Sequence, residues 1–199
     1  MSDSLSWKMV KEEHIVQDEW VDFRKRLYEL PDGSTVGPIY DYSKHSFSLV
    51  VATDTEGRYI CVRQYRHGID EITTEFPAGG IEYKKTADVP YITVENTIAT
   101  EEEALAAAKR ELSEETGYVS DNFVHLLTLP ANATLESNNV HIYAATNCVK
   151  KNDQHLDDTE FLNVIRLTED ELKEKIFGGD FKQPHHVLAW YLYKDLIQK

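Results

Sequence analysis

This chain has few of the features that stabilise small extracellular or membrane-bound proteins. Two cysteines in 199 residues cannot make a disulfide framework, and Cys61 and Cys148 fall in segments that read as strands, where reduced, buried thiols are expected. No run approaches the ~18 consecutive apolar residues of a membrane span. The first residues, Met1-Ser2-Asp3-Ser4-Leu5-Ser6-Trp7, lack the basic-then-apolar order of a signal peptide, so a cytoplasmic location is expected. Positive charge is also scarce: 21 Lys and Arg face 35 Asp and Glu, a net −14 with histidine neutral. Such a balance argues against nucleic-acid or anionic-membrane partners and confines any phosphate-binding charge to local clusters. No repeat, low-complexity tract or long linker interrupts the chain. An apolar content of 41% is enough for one domain with an appendage.

Against that background, the acidic crowding between Thr100 and Tyr118 stands out. Thr100 can cap a helix, Glu103 stands three residues on where a capping box needs it, and Gly117 can end the helix in a left-handed turn. At about 100° per residue from Glu111, Glu115 lies near 40° and Glu114 near 300°, while Ala108, Leu112 and Leu105 lie near 60°, 100° and 120°. Glutamates therefore border the apolar stripe, where like charges repel unless a cation lies between them. Oxygen ligands on a rigid helix suit a hard ion such as Mg²⁺ or Mn²⁺. A solvated acidic face fits the helix alone equally well.

Upstream, Glu75-Phe76-Pro77-Ala78-Gly79-Gly80 forms a short apolar segment whose Pro and paired glycines allow a tight bend and close approach to a ligand. Together with Arg110-Glu111-Leu112-Ser113-Glu114-Glu115-Thr116-Gly117-Tyr118 it resembles the Nudix box, Gly-x5-Glu-x7-Arg-Glu-U-x-Glu-Glu-x-Gly-U, with Glu102 at the first glutamate. Asn96 occupies the standard glycine position, so Gly79 is the better match. That leaves 22 residues between Gly79 and Glu102 in place of five, an insertion of 17 that carries Tyr83, Lys84, Lys85, Pro90, Tyr91 and Asn96. Extra loop length costs little entropy, so the insertion reads as an elaborated strand-to-helix loop. Trp20 to Gly33, Val62 to Gly68 and Glu75 to Gly80 extend the similarity to the ADP-ribose pyrophosphatase branch of Nudix hydrolases.

This resemblance implies divalent-metal-dependent cleavage of the pyrophosphate of a nucleoside diphosphate sugar, giving a nucleoside monophosphate and a sugar phosphate. It further implies a homodimer whose N-terminal strands help form the partner's substrate site. Carried over residue by residue, Glu111, Glu115 and the Ala78 carbonyl bind metal, Glu114 supports or shares an ion, and Arg110 orients a glutamate. The acidic loop Asp157-Asp158-Thr159-Glu160 supplies a further ligand or the general base, with Glu160 ahead of Asp158. Arg24 and Arg66 are candidates to clamp phosphate, and Trp20 and Tyr28 to stack on the base. His67, His185 and His186 are weaker phosphate candidates. Relatives that prefer ADP-ribose usually carry a proline about 15 residues past the box. Ala133 stands there, which leaves a GDP- or UDP-linked sugar open. Other Nudix substrates (a dinucleoside polyphosphate or capped RNA) and a sensor that binds nucleotide without hydrolysis remain alternatives.

Strand candidates are Trp20–Leu30, a hairpin of Phe47–Ala52 with Tyr59–Tyr65, and then Val124–Leu129, Val140–Thr146 and Phe161–Leu167. Two helices follow, one capped by Thr168 with Glu171 and one starting near Gln183 and running toward Ile197. The order implies an α+β fold: a Nudix-type mixed sheet packed between helices (46–199), with an N-terminal antiparallel strand subdomain (1–45) that serves dimerisation.

Overall fold

The computed structural model describes residues 5–82, 89–157 and 159–197. The chain divides into two compact units, one of residues 1–46, 82–99 and 130–139, the other of residues 47–81, 100–129 and 140–199.

The first unit is built on an antiparallel sheet of β1 (Lys8–Gln17), β2 (Asp22–Glu29) and β3 (Thr35–Ser43) in that order. β1 carries Lys8, Lys11, Glu12, Glu13 and His14 without alternation, and its register against β2 slips between Met9 and Lys11 and again between His14 and Val16. Those two bulges reset which face each side chain occupies, so no period of two survives in the sequence to mark it. β3 is likewise hidden by Gly37 and Pro38, residues depleted in strands.

The second unit has α+β architecture. It comprises β4 (Phe47–Asp54), β5 (Tyr59–Arg66), β6 (Glu71–Glu75), β7 (Ala78–Gly80), α1 (Glu101–Thr116), β8 (Tyr118–Val119), β9 (Asn122–Pro130), β10 (Asn139–Lys150), β11 (Leu162–Leu167), α2 (Glu169–Phe177) and α3 (Pro184–Leu196). The mixed sheet runs β11-β5-β4-β10-β8, with β6 on β5, β7 on β4 and β9 on β10. β4 and β10 are parallel, and their apolar runs are buried on both faces. On one face Leu49, Val51, Tyr59, Phe76 and Ile142 pack against Leu172 and Ile176 of α2 and Ala189, Trp190 and Tyr193 of α3. On the other, α1 lies over β4 and buries Ala104, Ala107, Ala108 and Leu112. Cys61 and Cys148 are free and buried. Among the described residues no helix is long and apolar enough to cross a membrane.

β4 and β5 do join through the turn after Asp54, but they stay paired only at Ala52↔Ile60 and Thr53↔Tyr59. Beyond that point β4 turns to β7 and β10, and β5 to β6 and β11. The expected hairpin thus opens into a fork, and β7 lies alongside β4 close to α1.

Candidate active site

α1 begins and ends as its sequence dictates. The Thr100 hydroxyl accepts from the Glu103 N–H at 3.2 Å, the Glu103 carboxylate accepts from the Thr100 N–H at 2.9 Å, and Gly117 leaves the helix at φ 75°. Past that end, Lys151 and Asn152 donate to the Gly117 carbonyl, the Gln154 amide donates to the Glu115 carbonyl at 2.8 Å, and His155 N–H donates to the Glu114 carbonyl at 2.9 Å. These bonds satisfy carbonyls that a helix end leaves orphaned. They also tie the loop leading to Glu160 to the acidic helix.

Three carboxylates on α1 face β7 in different ways. Glu115 is 2% exposed and accepts from the Ala78 N–H at 3.1 Å. Glu111 is 7% exposed and lies so close to Gly79 that a β-carbon there would stand 2.1 Å from its carboxyl group. Any side chain at this position would displace the Glu111 carboxyl group. Glu114, half-exposed, receives the Arg110 Nη1 at 2.6 Å. The Arg110 Nη2 donates to Glu111 at 2.6 Å and to the Gly80 carbonyl at 2.8 Å. One guanidinium thus holds two glutamates and the end of β7 in register.

Burial pushes the Glu111 carboxyl up to about 7; Arg110 opposes the rise, and the charges of Glu114 and Glu160 add to it. Burial likewise holds Glu115 well above the ordinary range, with Glu111 and Glu160 adding to it. Glu160 is therefore within electrostatic reach of both, and its carboxylate accepts from the Asp157 N–H at 3.1 Å. Arg66 also interacts with the charges of Glu115 and Glu160. The second unit thus gathers Ala78, Arg110, Glu111, Glu114, Glu115, Glu160 and Arg66. Asp158 lies outside the described residues.

Glu75, which had no assigned role in the sequence, and His186, read there as a weaker phosphate candidate, prove central to this arrangement. Glu75 is fully buried and accepts from Arg66 Nε at 2.8 Å and Nη2 at 2.5 Å, and from the Thr73 hydroxyl. His186, 3% exposed on α3, accepts from the Phe76 N–H through Nδ1 at 3.0 Å, stacks on the Phe76 ring and faces Glu75 through Nε2 at 3.7 Å. Its expected contact with phosphate gives way to a core position, because α3 carries it inward. Burial lowers its pKa to about 4, helped by the charges of Arg66 and His185 and opposed by Glu75. Only the Glu-Phe-Pro-Ala segment itself hinted at this brace.

In the first unit, Trp20 is 69% exposed on the β1–β2 turn. Tyr28 meets Trp7 edge to face, with centroids 5.8 Å apart, and both line a cavity of about 330 Å³ with Arg26, Asp41 and the loop 133–137. Arg24 is 1% exposed, and its guanidinium is spent on Asp22 and Asp41 at 3.0 Å each. That engagement withdraws Arg24 from the phosphate-binding set.

Matches to known proteins, and not the mixed sheet with its glutamate-rich helix alone, make this chain a hydrolase. Residues 44–191 match the NUDIX domain, and the chain belongs to that family. It is 30% identical over 174 residues to the methanol dehydrogenase activator of Bacillus methanolicus, with 84% of each chain covered. It is 29% identical over 173 residues to the ADP-ribose pyrophosphatase of Bacillus subtilis (strain 168), with 85% of this chain and 83% of the relative covered. A crystal structure of an ADP compounds hydrolase shares the fold, with a TM-score of 0.74 at 18% identity, over 99% of this chain and 97% of that one.

Proposed function

We propose that this hydrolase cleaves the pyrophosphate of a nucleoside diphosphate sugar, ADP-ribose or a relative, into a nucleoside monophosphate and a sugar phosphate with the help of Mg²⁺ or Mn²⁺. The observation that carries the reading is the pair of buried carboxylates, Glu111 and Glu115, set against Ala78 and Gly79. Two such groups on adjacent turns destabilise each other, and an all-oxygen donor set with charge to neutralise fits a hard divalent cation. Among the described residues no three His, Cys, Asp or Glu side chains are grouped so as to hold a metal ion by themselves. The Ala78 carbonyl, water and substrate phosphate would have to supply the rest of the shell. When bound there, the ion neutralises phosphate charge and makes its water more acidic.

The chain's own groups do the remaining work. Arg110 fixes Glu111 and Glu114 in one orientation, Glu114 supports or shares an ion, and Glu160 takes the proton of the attacking water, with Asp158 as its alternate. Arg66 keeps one edge of its charge toward the phosphates while braced by Glu75. Trp20 and Tyr28 give the base aromatic planes. The enzyme acts as a homodimer through its N-terminal strands.

A panel of sugar nucleotides with Mg²⁺ or Mn²⁺, scored by product identity, tests the reaction. Glu111→Gln and Glu115→Gln should each lower turnover at least about 100-fold while leaving the protein folded. Full activity in both variants would remove the metal assignment, and binding without product across the panel would favour a nucleotide sensor. The similarity to a methanol dehydrogenase activator favours a second reading, in which the chain modulates an alcohol dehydrogenase. Assaying such a dehydrogenase with and without this protein discriminates the two.

A further inference from the structure

The described part of the 17-residue insertion, residues 89–99, folds with the first unit. Ile92 is fully buried. Its N–H donates to the Asp18 carbonyl at 2.9 Å, and its carbonyl accepts from the Gln17 side-chain amide at 3.3 Å. Gln17 ends β1 and Asp18 opens the turn into β2, so one residue of the insertion grips that turn by both of its backbone polar groups. Within the turn, the Asp18 carboxylate accepts from the N–H groups of Trp20 at 2.8 Å and Val21 at 2.9 Å, and Asp18 N–H donates to the Val21 carbonyl at 3.0 Å.

The gripping segment is itself held in shape. Thr93 N–H donates to the Asn96 side chain at 2.8 Å, Asn96 N–H donates to the Thr93 hydroxyl at 3.2 Å, and the Asn96 amide donates to the Tyr91 carbonyl at 2.9 Å. Farther along, the Thr97 carbonyl accepts from the buried Ser46 hydroxyl at 2.6 Å. The insertion is therefore pinned at Thr97 and grips the turn at Ile92. At the tip of that turn the exposed Trp20 indole has the His45 ring 6.4 Å away, and His45 Nε2 donates to the Glu19 carbonyl at 3.2 Å.

We infer that the insertion is a clamp that positions Trp20: by fixing the β1–β2 turn it presents the indole as a pre-ordered plane, which makes residues 91–97 determinants of base recognition. Ordering a loop at the moment of binding costs affinity, and a turn fixed beforehand avoids that cost. The recognition half of this inference rests on Trp20 contacting the base; the clamp half does not.

The two halves are separable with the full chain labelled with 5-fluorotryptophan, whose three ¹⁹F resonances come from Trp7, Trp20 and Trp190. The Trp20 signal is the one missing in Trp20→Phe. Gln17→Ala removes one grip on Ile92, and Asn96→Ala loosens the segment. In both variants the Trp20 resonance should move while that of Trp190, in the core of the second unit, stays. KM for the sugar nucleotide should rise about fivefold with kcat changed less than about twofold. An unmoved Trp20 resonance in both variants overturns the clamp whatever happens to KM. A moved resonance with unchanged KM upholds the clamp and removes Trp20 from base recognition.

Discussion

A single missing β-carbon governs the acidic site. At Gly79 an added methyl would meet the Glu111 carboxyl group at 2.1 Å, far inside van der Waals contact. What it meets is the end of a flexible side chain, so Glu111 can swing aside at little cost to the fold. Gly79→Ala should therefore leave the melting temperature nearly unchanged while raising the metal concentration needed for half-maximal activity about 10–100-fold. Titrating Mg²⁺ against turnover, with a thermal melt alongside, checks both parts. A large fall in melting temperature with normal metal activation would place the strain in the backbone of β7 instead. Sequence spacing anticipated that Glu111 and Glu115 share a face, because both lie on one helix. It could not show that Gly79 touches Glu111, a contact made across 32 positions of chain that only the tertiary fold closes.

At the scale of elements, three segments meet at the Glu75–Phe76 bend: Arg66 from β5, Glu75 from β6 and His186 from α3. Burial would raise Glu75, yet the Arg66 bonds and neighbouring groups outweigh it and leave its carboxyl below the ordinary value. His186 is held neutral down to about pH 4, below the 6.5 of a free imidazole. Between those values the unfolded chain binds a proton that the folded chain refuses, so stability must fall as pH drops through that window. His186→Asn keeps an acceptor where Nδ1 stood and removes the titration. Denaturant melts from pH 7 to pH 4 should show the wild type losing up to roughly 3 kcal/mol more than His186→Asn. Parallel losses in the two proteins would mean that His186 takes up its proton inside the fold. The sequence singled out Arg66, His186 and the Glu75–Ala78 segment but not their contact, since the partners lie 9 to 111 positions apart. Where the determinants were local the reading was close: the capping boxes of α1 and α2 stand as their sequences specify, and α3 starts after Gln183. β1 escaped notice because its bulges erase the alternation that marks a strand.

At the scale of the whole molecule, the first unit leaves a question of cover. A three-stranded sheet needs a partner for its apolar face, yet Met9, Val10, Ile15 and Val16 of β1 are each about half exposed, beside Trp7 at its start. The described chain supplies no side chains to bury them, and a second copy has the same surface to offer. Charge opposes that pairing, because each copy carries −14 and two such bodies repel at long range. Added salt screens the repulsion without weakening apolar burial, so association should strengthen as ionic strength rises, the reverse of an interface held by ion pairs. Light scattering during gel filtration should give twice the 22.9 kDa chain mass, with the dimer persisting to lower protein concentration in 0.5 M than in about 0.05 M salt. Met9→Glu combined with Val16→Glu adds charge among the half-exposed apolar residues of β1 and should yield the single-chain mass. If both proteins run as monomers at every salt concentration, the apolar stripe on β1 has some other purpose and the homodimer is refuted. If only the wild type dimerises, loss of activity on dilution would tie the sheet to catalysis. Dilution that leaves specific activity constant would make the pairing a matter of stability alone.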